Sequence, residues 1–299
     1  MQIELEKFYS SMAGVKSPAT VIFYQRRLKN LVLFVGDIPI RDVTLDQLRA
    51  WRRWLSEREV KYPGQKREQP GRLSPWTVHQ HVRACRRFFA WCVEEGLLEI
   101  SPARRLEKPP EPVRIRRGIR SDARDAIINA ANCKRDYALF LIFADTACRL
   151  AGIAGMMVDD VDLPGRMIIV REKGRGGNQK ERMVFITAHT AQALAAWLVE
   201  RGDRKTRKIW ISLTTGYGLT AGGIYQVLKR TAKRAGVNHG WNPHNWRHGS
   251  IRGMLANHAP MSAVSQIAGH SSSQVTADIY GTFDDQELLR IHDQSSWIK

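Results

Sequence analysis

The sequence predicts a mainly α-helical protein of two domains, a helical N-terminal one and a mixed α/β C-terminal one with a small β-hairpin. Three observations lead there. Apolar residues recur at helical spacing through the first third of the chain. A proline-rich stretch then interrupts any regular structure, with Pro102, Pro109, Pro110 and Pro112 close together. Beyond it, two short β-type runs stand among many helical ones. At 299 residues the chain is long enough for two ordinary domains.

Taken in order, Ser17-Pro18 gives an N-cap followed by proline at the first helical position. Val21, Tyr24, Leu28, Leu31 and Val35 then follow at helical spacing. Thr44 and Gln47 form a capping box that opens a helix through Leu45, Leu48, Trp51 and Leu55. Residues 61–72 hold two Pro-Gly pairs and four basic residues and read as a polar loop. Ser74-Pro75 starts another helix, with Val78, Val82, Cys85, Phe89 and Cys92 along one stripe and Gly96 as its stop. Residues 1–107 make the first domain in this reading, 108–118 an extended linker and 119–299 the second domain.

In the second domain Ser121 is expected to cap a short helix reaching Ala131, and 137–146 reads as a buried helix. Met167–Val170 and Met183–Ile186 are β-type runs separated by Gly174, Gly176 and Gly177 among basic residues, hence a hairpin with a basic tip. Helical signals return at 190–200, 220–235, 246–257, 261–268, 273–280 and 284–293.

Charge narrows the function. Lys and Arg number 47 against 29 Asp and Glu, a net +18. An excess of that size favours a polyanionic partner, because each phosphate neutralised releases condensed counterions. Ribosomal and membrane-surface proteins share the bias, so charge alone does not choose among them. Cys85, Cys92, Cys133 and Cys148 form no CxxC pair and read as buried free thiols, which fits a reducing cytoplasm. No run approaches 18 apolar residues, so the expectation is a soluble cytoplasmic protein without a membrane partner.

Pro243-His244-Asn245-Trp246-Arg247-His248 gathers two histidines and an arginine at a helix start. His244 and Arg247, three apart, project from one side of a helix. One can exchange protons, and the other is a permanent two-pronged phosphate ligand. Alone, such a pair is weak evidence, and His270 and Tyr280 are weaker still. Their order along the chain makes them specific. Arg149 in Asp145-Thr146-Ala147-Cys148-Arg149-Leu150 resembles the first arginine motif of the tyrosine recombinases of the phage-integrase family. Lys173, in Glu172-Lys173-Gly174-Arg175, resembles that family's catalytic lysine on its hairpin, and Lys180 is the alternative. His244 and Arg247 match its HxxR motif, His270 its Gly-His motif and Tyr280 its nucleophile. Residues 5–105 resemble its helical core-binding domain in pattern. Two departures stand beside the match: Ala147 replaces the family's usual glycine, and Gly152 replaces a common glutamate.

The resemblance implies a site-specific recombinase of the simple, Xer-like type, with Arg149, Lys173, His244, Arg247, His270 and Tyr280 as catalytic residues. It implies attack by Tyr280 on a DNA phosphate, giving a 3′-phosphotyrosyl bond and a free 5′-hydroxyl. Arg149 and Arg247 would meet the phosphate charge and His270 would hydrogen-bond the phosphate. His244 would accept or orient the phenolic proton, and Lys173 would protonate the leaving oxygen. No cofactor and no metal are implied. The partners implied are double-stranded DNA with paired recombination sites and three further copies of the chain, exchanging strands through a Holliday junction. Two rival readings stay open: a type IB topoisomerase-like enzyme that relaxes DNA, and a DNA-binding architectural or regulatory protein without catalysis.

Overall fold

The computed structural model describes residues 1–61, 68–110, 118–173 and 179–269, the side chains of Lys173 and Gln179 excepted. They fall into two compact units.

The first unit is built from α1 (Gln2–Ser11), α2 (Pro18–Val35), α3 (Leu45–Glu57) and α4 (Pro75–Glu94). Three of its four helix starts follow the local chemistry read from the sequence, while α1 begins after Met1 with no side-chain cap. The Ser17 side chain accepts from Thr20 N–H, Ser74 accepts from Thr77 N–H, and Thr44 with Gln47 closes a complete capping box. Each cap satisfies an N–H that has no partner inside the helix. Leu28, Leu31, Leu48, Trp51, Leu55, Val82, Phe88 and Phe89 fill one core. The Trp51 indole N–H donates to the Asn30 carbonyl at 3.1 Å, so this fully buried side chain leaves no unpaired donor. The expected polar loop at 61–72 is flanked by a two-residue ladder, β1 (Val60–Lys61) with β2 (Gln69–Pro70). Just beyond Pro70, the Gly71 N–H still donates to the Glu59 carbonyl at 2.6 Å. Residues 62–67, the rest of the expected basic loop, lie outside the described residues.

Past α4 the chain stays on the first unit. Ala103 and Leu106 are buried, Arg52 donates to the Glu107 carboxylate at 2.9 Å, and His79 Nδ1 lies 2.9 Å from the Pro109 carbonyl. Of the expected linker, residues 111–117 lie outside the described residues.

The second unit contains α5 (Ser121–Asn129), α6 (Lys134–Thr146), α7 (Leu150–Gly155), a three-stranded sheet, α8 (Ala188–Arg201), α9 (Ala221–Arg234), α10 (Pro243–Ala256) and α11 (Met261–Ala268). The sheet is antiparallel in the order β3 (Val161–Asp162), β4 (Met167–Lys173), β5 (Gln179–Phe185). Ser121 does not cap α5. It is the first helical residue, Arg120 holds the cap position, and that cap makes no side-chain hydrogen bond. The six-residue α7 and strand β3 have no periodicity of their own to announce them. The expected helices at 273–280 and 284–293 lie outside the described residues.

Leu139, Phe140, Ile142 and Phe143 of α6 anchor the core. Trp246 of α10 is fully buried against Phe140 and Phe143, with ring centroids 6.2 and 5.9 Å apart. Cys85, Cys92 and Cys148 are buried as expected, while Cys133, at the cap of α6, is half-buried. Among the described residues no helix is long and apolar enough to cross a membrane.

The chain enters the second unit against α10. Ile119 N–H donates to the Asn245 carbonyl at 2.8 Å, and a Cβ on Gly249 would stand 2.9 Å from Ile119 Cγ2 and 3.1 Å from its carbonyl oxygen. Gly249→Ala is therefore expected to overpack this contact and destabilise the protein by about 1–3 kcal/mol, measured by urea denaturation. A variant as stable as the parent would show that residues 118–119 do not seat on α10.

Candidate active site

Helix α6 ends in a turn that places two arginines. Ala147, at its C-cap, adopts a left-handed conformation with φ of 50°, where a non-glycine residue is uncommon. The turn aims the Ala147 carbonyl at Arg247, whose Nη1 donates to it at 2.5 Å. Two residues on, Arg149 sits at the N-cap of α7. Arg247 is 5% exposed, fixed beside Trp246 on the inner face of α10, whereas the Arg149 side chain is 42% exposed. His244 lies exposed in the first turn of α10, whose start is capped by the Asn242 side chain accepting from Asn245 N–H.

These side chains share a cavity of about 310 Å³, lined by Arg149, Leu150, Tyr225, Asn242, Pro243, His244 and Arg247. Two guanidiniums, an imidazole and the positive end of α10 thus border one space suited to an anion. The structure brings together three of the six residues singled out from the sequence. Lys173 is placed by its backbone at the end of β4, in register with Gln179. The alternative, Lys180, is paired with Glu172 in that register and is exposed. His270 and Tyr280 lie outside the described residues, although α11 and Gly269 lead directly to His270.

Behind Arg149 lies a carboxylate that the motifs do not single out. Glu172 is 6% exposed. Its Oε1 accepts the Arg149 backbone N–H at 2.9 Å, and its Oε2 accepts Arg149 Nη1 at 2.6 Å. Arg182 Nη2 lies 3.4 Å from Glu172 Oε1 and 3.3 Å from Cys148 Sγ, and its Nη1 donates to the Ile267 carbonyl at 2.5 Å. Arg182 therefore ties β5 to the last turn of α11, one residue short of the Ala268-Gly269 end. Burial by itself would push the Glu172 carboxyl up. The Arg149 N–H and the charges of Arg182 and Arg149 outweigh burial and hold it below its ordinary value.

The signal for both residues is strand alternation. Ile168, Val170 and Glu172 share the inward face of β4, and Val184 and Arg182 share that of β5. An inward carboxylate on one strand and an inward guanidinium diagonal to it on the next form a cross-strand pair. Asn242 before Pro243 carries the same cap-and-proline signal as Ser17-Pro18, whereas Tyr225, which also lines the cavity, carries none.

Residues 118–287 match the phage integrase family, and residues 5–108 match the phage integrase SAM-like domain. The chain belongs to the phage integrase family. Among its relatives, the tyrosine recombinase XerC of Neisseria meningitidis serogroup C / serotype 2a is 27% identical over 286 residues, spanning 94% of this chain and 90% of that one. The XerC of Corynebacterium efficiens is 29% identical over 288 residues, spanning 94% and 86%. The fold is shared with the Tn1549 transposon integrase solved in complex with transposon right end DNA, at a TM-score of 0.75 and 18% identity over 97% of this chain and 98% of that one. It is shared too with a lambda integrase dimer bound to a COC′ core site, at a TM-score of 0.71 and 16% identity over 95% and 97%.

Because its carboxyl is held down in the folded state, Glu172 stabilises the protein fully above the ordinary glutamate range, and that contribution is lost as pH falls below 4.5. Glu172→Gln should lower stability by about 1–3 kcal/mol at about pH 7, since it leaves buried donors poorly paired. The gap between variant and parent should shrink towards about pH 3, measured by urea denaturation across that range. A gap constant with pH would contradict the assignment.

Proposed function

We propose that this chain is a tyrosine site-specific recombinase that cleaves and rejoins double-stranded DNA through a 3′-phosphotyrosyl bond at Tyr280. The observation that carries the reading is the cavity that Arg149, Arg247 and His244 line together. Phosphodiester exchange builds negative charge on the nonbridging oxygens of a five-coordinate phosphorus. Guanidiniums meet that charge well, because each presents paired donors and keeps its proton at all working pH values. Arg247 is fixed beside the buried Trp246 and donates to the Ala147 carbonyl, so its position is set before the phosphate arrives.

In the proposed reaction the Tyr280 phenolic oxygen attacks phosphorus in line. The bond from phosphorus to the 5′-oxygen breaks, and the 5′-oxygen leaves with a proton from Lys173. His244, exposed beside the cavity, accepts or orients the phenolic proton, and His270 hydrogen-bonds the phosphate. Rejoining is the same exchange in reverse, with a 5′-hydroxyl as nucleophile, so the covalent link conserves the bond energy. The net charge of +18 supplies the sequence-independent hold on the duplex. Four copies on two paired sites, passing through a Holliday junction, complete the proposal.

A DNA substrate nicked near the scissile phosphate traps the covalent adduct. Tyr280→Phe should bind this substrate with the parent's affinity and form no adduct; undiminished adduct would remove Tyr280 from the role. Arg247→Lys should slow adduct formation by about 100-fold or more while DNA affinity changes by less than about threefold. Equal losses in both would contradict a role for Arg247 in meeting transition-state charge. On a plasmid with two sites, deletion or inversion products mark recombination, whereas relaxation alone would replace it with a topoisomerase-like activity.

A further inference from the structure

We propose that Glu172 is the positioning residue that fixes Arg149 for the phosphate, and that it does this from strand β4 because Gly152 leaves empty the place from which helix α7 would otherwise supply the carboxylate. The inference rests on the reading of Arg149 as a phosphate ligand.

Helix α7 begins at an awkward residue. Arg149 occupies the N-cap position, and no side chain caps it, since a guanidinium has no acceptor to offer. The backbone N–H of an N-cap residue is ordinarily taken by a Glu or Gln at the third helical position, the returning half of a capping box. That third position is Gly152. Glu172 Oε1 makes the missing bond instead, at 2.9 Å from Arg149 N, reaching in from another element of the unit.

The same carboxylate also holds the side chain. Oε2 accepts Arg149 Nη1 at 2.6 Å, so one rigid group grips Arg149 at its backbone and at its tip. Fixing both ends removes rotamer freedom from a long side chain before the phosphate arrives. One edge of the guanidinium is engaged by Glu172, and the side chain remains 42% exposed where it borders the cavity. Arg182 in turn keeps Glu172 in place from the neighbouring strand.

Space shows why the carboxylate has one address or the other. A Cβ on Gly152 would lie 2.9 Å from Glu172 Cγ, 3.0 Å from Glu172 Oε1 and 2.9 Å from Val170 Cγ1. The volume that a side chain at 152 would enter is the volume the Glu172 side chain fills. Any residue but glycine at 152 displaces Glu172, and any smaller residue at 172 leaves Arg149 without its acceptor.

Because Glu172 also precedes Lys173, the test must separate action through Arg149 from action through the lysine. Adduct formation is measured under single-turnover conditions on the nicked substrate, with DNA affinity and melting temperature in parallel. Glu172→Gln should slow adduct formation about 10- to 100-fold, with DNA affinity within about threefold of the parent. A substrate with sulfur in place of the bridging 5′-oxygen has a leaving group that departs without a proton, and the variant should remain as slow on it. Should the sulfur substrate restore the parent rate, Glu172 serves Lys173 and the proposal is overturned. The triple variant Gly152→Glu, Val170→Ala and Glu172→Gly moves the carboxylate to the helix and clears the Val170 methyl that a Cβ at 152 would meet at 2.9 Å, and it should cleave at least about tenfold faster than Val170→Ala with Glu172→Gly. Recovery of the melting temperature without recovery of cleavage would reduce Glu172 to a stabilising group and overturn the proposal.

If Glu172→Gln fails to fold, Glu172→Asp carries the test. It keeps the charge but withdraws it by one methylene, and it should slow oxygen and sulfur substrates alike. Arg149→Ala is the control. If it abolishes the adduct while Glu172→Gln or Glu172→Asp cleaves at the parent rate, this inference alone falls; if it cleaves normally, the reading of the site falls and takes the inference with it.

Discussion

Guanidiniums gathered in one place repel one another until an anion arrives. The second unit answers that difficulty with a single buried carboxylate. Glu172 faces Arg149 on one side and Arg182 on the other, and it stays ionised although burial opposes its charge. One negative charge set against two guanidiniums leaves the cluster positive, so an anion is still attracted to it. Much of the site's geometry depends on that one group. It joins the start of α7 to β4, and through Arg182 it joins the hairpin to the end of α11, where the chain turns at Gly269 towards His270.

The other arginine is fixed by packing and a backbone acceptor. Trp246 is wedged between Phe140 and Phe143 and sets the rotation of α10, so the next residue, Arg247, points at the end of α6. The Ala147 carbonyl receives it. That bond requires the left-handed turn at Ala147, a conformation that glycine adopts more readily than alanine. Alanine is accommodated here because its methyl group is wholly buried with Ile251, Val264 and Ala268, so packing offsets the backbone strain. Two arginines in one cavity thus rest on two different supports, an ion pair for Arg149 and a hydrophobic wedge for Arg247.

What can be read from the sequence divides along the same line. Helix starts marked by Ser17, Thr44 and Ser74 are legible because their caps are local chemistry, a side chain meeting an N–H three residues on. The start of α5 misleads, since Ser121 looks like a cap but lies inside the helix. Helix α7 escapes notice because Leu150–Gly155 is short and glycine-rich, and it is held by its neighbours rather than by its own propensity. In the site, Arg149, His244 and Arg247 stand out through order and spacing. Glu172 and Arg182 do not, because their partnership depends on strand register, which pairs Val170 with Arg182 and Glu172 with Lys180. Alternation gives the face of a strand, but the pairing gives the neighbour.

Gly152 shows how a departure from a motif should be weighed. Taken by position alone, a glycine at the third residue of α7 offers Arg149 no carboxylate from its own helix. In three dimensions the carboxylate is present, supplied across the sheet instead of along the helix. The two positions are sterically exclusive, since a Cβ at 152 would already crowd Glu172. Neither can change profitably alone: a side chain added at 152 overfills the space, and a shortened one at 172 strands an arginine and an N–H. A change at both positions keeps the charge present once, provided that Val170 also gives way to the new Cβ. The physical requirement at this site is therefore a carboxylate at one point in space, whichever backbone carries it.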